Sequence, residues 1–253
     1  MIIHVYAICW NEEKILPFFI RHYSSIAEKI IIYDNESSDR SREIIESSPK
    51  CIYRSYNSNN TIRDDLYASI KNNVWKESRG IADWVIVVDI DEFVYCPTDF
   101  FKEIKRLNKI GLSIITPTGY NMIADNIVWD SEKQLHELCK YGSLWIPESK
   151  PCVFNPNSVR EINYNYGGHK CRPKNLWQKY KNRYLTRIIK NNLFVLHYKY
   201  LGLQYTVDRY KSLRSRLSDY NKSVAAGVHY LKSDEKVVEE FNRIKSEAKQ
   251  IID

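Results

Sequence analysis

Nine consecutive positions constrain this chain most: Trp84-Val85-Ile86-Val87-Val88, followed at once by Asp89-Ile90-Asp91-Glu92. An apolar run without alternation predicts a strand covered on both faces, as in parallel α/β sheets. Ligands in such sheets sit beyond the carboxyl ends of the strands, and this end carries three acids. Because side chains alternate along a strand, Asp89 and Asp91 are expected on one side. Their carboxylates would converge on one cation or polar ligand, with Ile90 turned into the sheet between them. Such acids otherwise read as a solvated loop or as helix caps. Pro97 and Thr98, however, mark the entry to the next helix, too far downstream for Asp89 to Glu92 to cap it.

The residues before this run alternate between the two periodicities. His4 to Cys9 reads as a strand, and Asn11-Glu12-Glu13 as the start of a helix with an amide cap and acids in its first turn. Lys29 to Tyr33 and Cys51 to Tyr56 are further strands, separated by a helix containing Ile44 and Ile45. Ile62, Leu66, Ile70 and Val74, at steps of four, form a helical stripe leading into Trp84. The order β-α-β-α-β-α-β predicts an α/β fold with a mostly parallel, twisted, doubly wound sheet and helices on both faces. Beyond residue 95 the pattern weakens: residues 98 to 109 read as helical and Leu112 to Thr116 as a strand. Short apolar runs follow at Leu144 to Ile146, Cys152 to Phe154 and Leu193 to Leu196, and the last fifty residues show helical periodicity.

A length of 253 residues, 43% hydrophobic, suits one core domain with a C-terminal appendage. No apolar run is long enough to span a membrane, and the N-terminus reads as a first strand and not a signal peptide. The six cysteines, with no C-x-x-C pair, suggest neither a zinc site nor a disulfide framework and fit a cytosol-like compartment. The absence of G-x-G-x-x-G and G-x-x-x-x-G-K-[ST] argues against a dinucleotide oxidoreductase and a P-loop NTPase. The net charge of +7 is unevenly spread: residues 170 to 216 hold 13 Lys and Arg against one acid. A block of this kind suits phosphates, whether of a sugar nucleotide, a nucleic acid or an anionic membrane surface.

Ala7-Ile8-Cys9-Trp10-Asn11-Glu12-Glu13, Tyr33-Asp34-Asn35 with Ser37, Ser38 and Asp39, and Ala82-Asp83-Trp84 leading into Asp89-Ile90-Asp91-Glu92-Phe93 resemble the N-terminal signatures of family 2-like GT-A glycosyltransferases. His197-Tyr198-Lys199-Tyr200 resembles a later segment of that group. The resemblance covers residues 1 to 95 and is patchy from there to 204. It implies a GT-A-like domain over 1–204, with a nucleotide-binding half (1–95) and an acceptor-side half (96–204), and a helical extension over 205–253.

The resemblance also implies a site. Ala7, Ile8, Cys9, Trp10 and Asn11, together with Asp34, would hold base and ribose. Asp89 and Asp91, flanking Ile90, would be the DxD motif, Asp89 meeting ribose or the metal and Asp91 binding a divalent cation on the donor diphosphate. Carboxylate and diphosphate oxygens select a hard ion, Mg2+ or Mn2+, acting as a Lewis acid on the departing nucleoside diphosphate. His197 would be a further metal ligand, with His169 in Gly167-Gly168-His169 as a second candidate. Arg63, Lys71 and Lys150 are candidates for the phosphates, and Asp64 and Asp65 for base or ribose or for the first turn of a helix.

An inverting transferase needs a carboxylate base at the acceptor hydroxyl. The usual downstream base motif is not recognisable, so Glu148 takes that place, with Asp125 and Glu161 behind it, and a retaining mechanism is the alternative. Tyr164, Tyr166, Trp177, Tyr180 and Tyr184 form either core or a sugar platform. Arg209, Lys211, Arg214 and Arg216, on a helix starting near Gln204, would face an anionic acceptor or membrane surface, with Tyr205, Tyr210, Leu213 and Leu217 packing inward.

The reading that follows is a divalent-metal-dependent glycosyltransferase of hexosyl type, using a UDP-sugar and a glycan, lipid-linked or protein acceptor. It would be cytoplasmic or peripheral to a membrane, with no stable nucleic-acid partner. The alternatives are a nucleotidyltransferase, and a non-catalytic protein that binds nucleic acid or anionic membrane through residues 170 to 216.

Overall fold

The structure is a computed structural model describing residues 1–174 and 189–253. In chain order the first half contains β1 (Ile3–Cys9), α1 (Leu16–Ser24), β2 (Lys29–Asp34), α2 (Ser41–Glu46), β3 (Cys51–Ser55), α3 (Asp64–Asn73), a 3-10 turn (Val74–Ser78) and β4 (Trp84–Asp89). The strands β3-β2-β1-β4 lie side by side and run parallel. Alternate residues of each strand enter different cores. Val5, Ala7, Ile30, Ile32, Ile86 and Val88 pack with Phe18, Phe19, Tyr23 and Ile45 of α1 and α2 on one face. Tyr6, Ile31, Val85 and Val87 meet Trp75 of the 3-10 turn on the other. Both strand faces are therefore apolar, which is why the sequence shows continuous runs and not alternation.

The second half contains β5 (Glu92–Tyr95), α4 (Phe100–Ile110), β6 (Ile114–Ile115), β7 (Thr118–Ala124), α5 (Leu135–Leu138), β8 (Tyr141–Leu144), β9 (Val153–Phe154), β10 (Phe194–Leu201), α6 (Leu203–Arg216), α7 (Asp219–Ser223), α8 (Asp234–Glu247) and β11 (Lys249–Gln250). Strands β9 and β6 extend the first sheet beyond β4 by antiparallel pairing, so that sheet is mostly parallel. A second, five-stranded sheet has the order β11-β8-β7-β10-β5. Helix α6 packs on β10, and α8 packs on β7 and β8. Helices α6 and α8 are thus fastened to the second sheet, whose edge β11 extends. No helix among the described residues is long and apolar enough to cross a membrane.

Three local expectations change. Helix α1 begins at Leu16, with Ile15 at its cap position and Pro17 in its first turn. Asn11 has φ 50° and is no cap: its backbone and side chain are engaged by Ser37 and Ser38 after β2. The cap of α4 is Asp99, whose side chain accepts from the Lys102 N–H at 2.9 Å. The strand expected over Leu112 to Thr116 shortens to Ile114–Ile115.

Candidate active site

The acids stand where the two sheets meet. β4 ends at Asp89, the chain turns through Ile90 and Asp91, and Glu92 starts β5. β5 pairs with β10, setting Glu92 opposite His197, and the Tyr198 N–H donates to the Asp91 carbonyl at 2.8 Å. Helix α1 clamps this turn from behind. The Tyr23 hydroxyl donates to the Glu92 carbonyl and accepts from the Val94 N–H, both at 2.9 Å, while His22 Nε2 donates to the Val94 carbonyl.

Because the strand stops at Asp89, the expected i, i+2 convergence of the two carboxylates does not arise. Asp89 pairs with Lys71 of α3 at 2.7 Å. Asp91 turns the other way, with Oδ2 at 3.4 Å from His197 Nε2 and 3.0 Å from Arg209 Nη2. Arg209, on α6, also grips both carboxylate oxygens of Glu12 at 2.7 Å. Burial pushes the Asp91 carboxyl up, yet His197 and Arg209 outweigh it and hold the group well below the usual carboxylate range. Burial works against the His197 imidazolium too, but Asp91 and Glu148 raise it above the ordinary histidine value.

These residues line a cleft of about 480 Å³, together with Ile8, Cys9, Trp10, Asp64, Tyr67, Trp145, Glu148, His169, Lys199, Arg216 and His229. Arg216 lies flat on the Trp10 ring, 3.2 Å from its centroid, and donates through Nε to Asn60. Trp145 stacks on His197 with ring centroids 5.9 Å apart. Glu148, 1% exposed, sits with Oε2 at 3.7 Å from His197 Nδ1 and 3.9 Å from His169 Nδ1. It has room because position 119 is glycine, where a Cβ would fall 2.4 Å from the Glu148 carbonyl carbon. Burial raises the Glu148 carboxyl, but Lys150 and His197 bring it below its ordinary value. Burial and the neighbouring Glu148 push Glu92 upward.

Several predicted residues lie elsewhere. Lys150 is 2% exposed and lies behind the cleft wall, against Glu92 and 3.2 Å from Glu148. Its charge neutralises those two acids and is not offered to a phosphate. Arg63 pairs with Asp65 and stacks on Tyr220, away from the cleft. Asp34 is fully buried and accepts from the Ser37 N–H and hydroxyl, shaping the turn after β2. Ala7 is enclosed in β1, and Asn11 borders a second, smaller cavity. Asp125 pairs with Lys245 and Glu161 with Lys76, outside the cleft. Tyr164 is core, and Tyr166 lines the cleft with its hydroxyl 2.6 Å from that of Tyr220; Trp177, Tyr180 and Tyr184 lie outside the described residues.

The basic residues of α6 expected to face outward together do not share one face. Lys211 and Arg214 pair with Asp234, whereas Lys199, Arg209 and Arg216 turn into the cleft. Glu12, Trp145 and His229 also line the cleft, although the sequence marks none of them as a site residue. Nothing local to these residues signals their role, since each depends on an element distant in sequence.

A divalent cation fits the chemistry of this donor set. Among the described residues no three His, Cys, Asp or Glu form a metal-holding group. Asp91 Oδ2 and His197 Nε2 are nonetheless 3.4 Å apart, close to the ~3 Å between neighbouring ligands that each stand ~2.1 Å from one ion. Asn121 Oδ1, 3.0 Å from His197 Nδ1, favours the tautomer that leaves Nε2 free. Mg2+ and Mn2+ commonly take one or two protein ligands and complete their shell with substrate phosphate and water.

No protein-family model matches the chain, and no curated protein matches it in sequence. Among solved structures it is similar to glucosyl-3-phosphoglycerate synthase from Mycobacterium tuberculosis, solved with Mn2+, UDP and glucosyl-3-phosphoglycerate, at 14% identity and a TM-score of 0.32 over 47% of this chain. The chain spans 44% of that protein's own length. 4-Diphosphocytidyl-2C-methyl-D-erythritol synthase from Anaerococcus prevotii is similar at 13% identity and a TM-score of 0.35, covering 75% of this chain and 77% of that one. A mycobacterial protein reaches 14% identity and a TM-score of 0.40, covering 87% of this chain and 76% of that one. Likeness at this level leaves activity to be argued from the side chains in the cleft.

Proposed function

We propose that this chain is a divalent-metal-dependent glycosyltransferase that moves a sugar from a nucleotide-sugar donor, a UDP-sugar, to a hydroxyl acceptor. The observation that carries the reading is the mixed charge of one cleft: Asp89 and Asp91 at the end of β4, faced by Lys71, His197 and Arg209 within 2.7 to 3.4 Å. A nucleoside diphosphate needs cations for its oxygens and carboxylates for the ion it carries. In this reading Asp91 and His197 would hold Mn2+ or Mg2+, and Asp89 would keep Lys71 at the cleft. When bound, the ion supplies Lewis-acid neutralisation of the leaving diphosphate.

Ile8 to Trp10, with Tyr67 and the Arg216 guanidinium on the Trp10 ring, supply the surface for base and ribose. Lys71 and Arg209 orient the diphosphate. Glu148, kept ionised, takes the acceptor proton in an inverting displacement. The acceptor is the hydroxyl of a glycan, a lipid-linked sugar or a protein, and the enzyme works in the cytoplasm. A nucleotidyltransferase is less well supported, because no Gly-rich phosphate loop follows β1. A non-catalytic binding protein is disfavoured because Lys199, Arg209 and Arg216 are turned inward.

Thermal shift with UDP, GDP and CDP, each with and without Mn2+, tests the reading. Metal-dependent stabilisation by a nucleoside diphosphate, lost in Asp91→Asn, is expected. Indifference to all three nucleotides together with tight binding of duplex DNA or anionic vesicles would overturn it.

A further inference from the structure

Two residues beyond His197, the cleft holds a cation that its surroundings do not neutralise. Lys199 on β10 is 8% exposed and lines the cleft. Its ammonium faces rings on three sides: Tyr210 at 4.9 Å, Tyr200 at 5.5 Å and Trp145 at 5.9 Å from their centroids. Among the described residues no carboxylate pairs with it. The nearest acids are engaged elsewhere, Glu240 by Lys232 and the Tyr200 hydroxyl, and Asp91 by Arg209 and His197.

Aromatic faces return part of the cost of burying an ammonium and supply no counter-charge. The Lys199 ammonium therefore meets the cleft through rings alone, with no paired carboxylate among the described residues. Beside it His229 also lines the cleft, and burial with Lys199 and Lys232 nearby brings it down to about 4, leaving a neutral imidazole able to donate one hydrogen bond. Nothing in the packing requires a charge at position 199, since a methionine would fill the same aromatic cage. Charge at this position therefore serves the open side, which is the cleft.

We propose that Lys199 anchors an anion subsite adjoining the acid pair, and that the substrate seated there carries a carboxylate or a phosphate. The subsite rests on reading the cleft as a transfer site. Two sources share this chemistry. The anionic group belongs either to the sugar of the donor, as in a uronic acid, or to the acceptor. Trp145 joins the two regions, stacking on His197 and facing the Lys199 ammonium, so an anion at Lys199 would lie beside the sugar and not on the nucleoside.

Calorimetric titration of the full chain with Mn2+ tests this. The donor arm compares UDP-glucuronate with UDP-glucose; the acceptor arm compares glucuronate and glucose 6-phosphate with glucose, with and without saturating UDP. One arm is expected to favour the acidic probe by about tenfold or more, the usual worth of a charge-assisted hydrogen bond. Lys199→Met should abolish that preference and Lys199→Arg keep most of it, with UDP affinity in both variants within about twofold of the unaltered protein. Melting curves of the two variants check that they fold. Absence of a preference in both arms overturns the proposal, as does a preference that survives Lys199→Met. So does a matching fall in UDP affinity, which would make Lys199 a diphosphate ligand. Failure of UDP to bind with Mn2+ would instead defeat the transferase reading, while the acidic and neutral sugars without UDP still test the lysine.

Discussion

Arg209 reaches back 118 residues to place Nη2 at 3.0 Å from Asp91 Oδ2, and grips Glu12 with the same guanidinium. One side chain of α6 thereby ties the loop after β1 to the turn after β4. The C-terminal helices are part of the candidate site, not an accessory to it.

Removing that tie should be costly. Arg209→Met leaves Glu12 and Asp91 buried without their shared cation, and breaking a buried ion pair from one side costs about 3–5 kcal/mol. Urea unfolding of Arg209→Met is expected to show a loss of that order, and adding Glu12→Gln should restore part of it. A loss indistinguishable from zero would mean that water reaches the pair.

Glu148 separates chemistry from binding. If it is the base, Glu148→Gln keeps Mn2+-dependent UDP affinity and lowers transfer by about 100-fold or more; loss of UDP affinity alone would contradict that role. Gly119→Ala should act on the same group from behind, since its Cβ would fall 2.5 Å from the Glu148 Cβ. It is expected to depress both turnover and melting temperature.

Acid should destabilise the fold through His22. Burial, against the opposing bond to the Val94 carbonyl and with His136 nearby, lowers this imidazole from 6.5 to about 4. The unfolded chain then takes up a proton near pH 6.5 that the folded chain refuses until about pH 4. Stability is unaffected above that interval and falls by about 1.4 kcal/mol per pH unit as pH drops through it. Urea titrations at pH 7 and 5 should reveal the slope, and His22→Gln should flatten it.

The strands of the first sheet were legible because each is short, apolar and followed by a helix with its own period. Lys71 and His197 were legible as candidates through resemblance, and both line the cleft with Asp89 and Asp91. Lys150 and Arg63 were misplaced because a basic residue in sequence carries no sign of which acid will claim it; Glu92 and Glu148 claim one and Asp65 the other. Arg209 and Arg216 were read as surface because their segment is so basic. Their partners, Glu12 for Arg209 and the Trp10 ring for Arg216, lie about 200 residues earlier.

The chain by itself determined the parallel α/β half and put Asp89 at a strand end, since hydrophobic period and strand termination are local properties; His197, expected at a strand end after Leu193 to Leu196, lies inside β10 because that strand continues to Leu201. Only the tertiary structure decided which charges face one another. The turn at Ile90 sends Asp89 toward Lys71 and Asp91 toward Arg209, and β10 brings His197 and Lys199 beside them. Those pairings depend on where buried charges find partners, and no periodicity in a sequence encodes that.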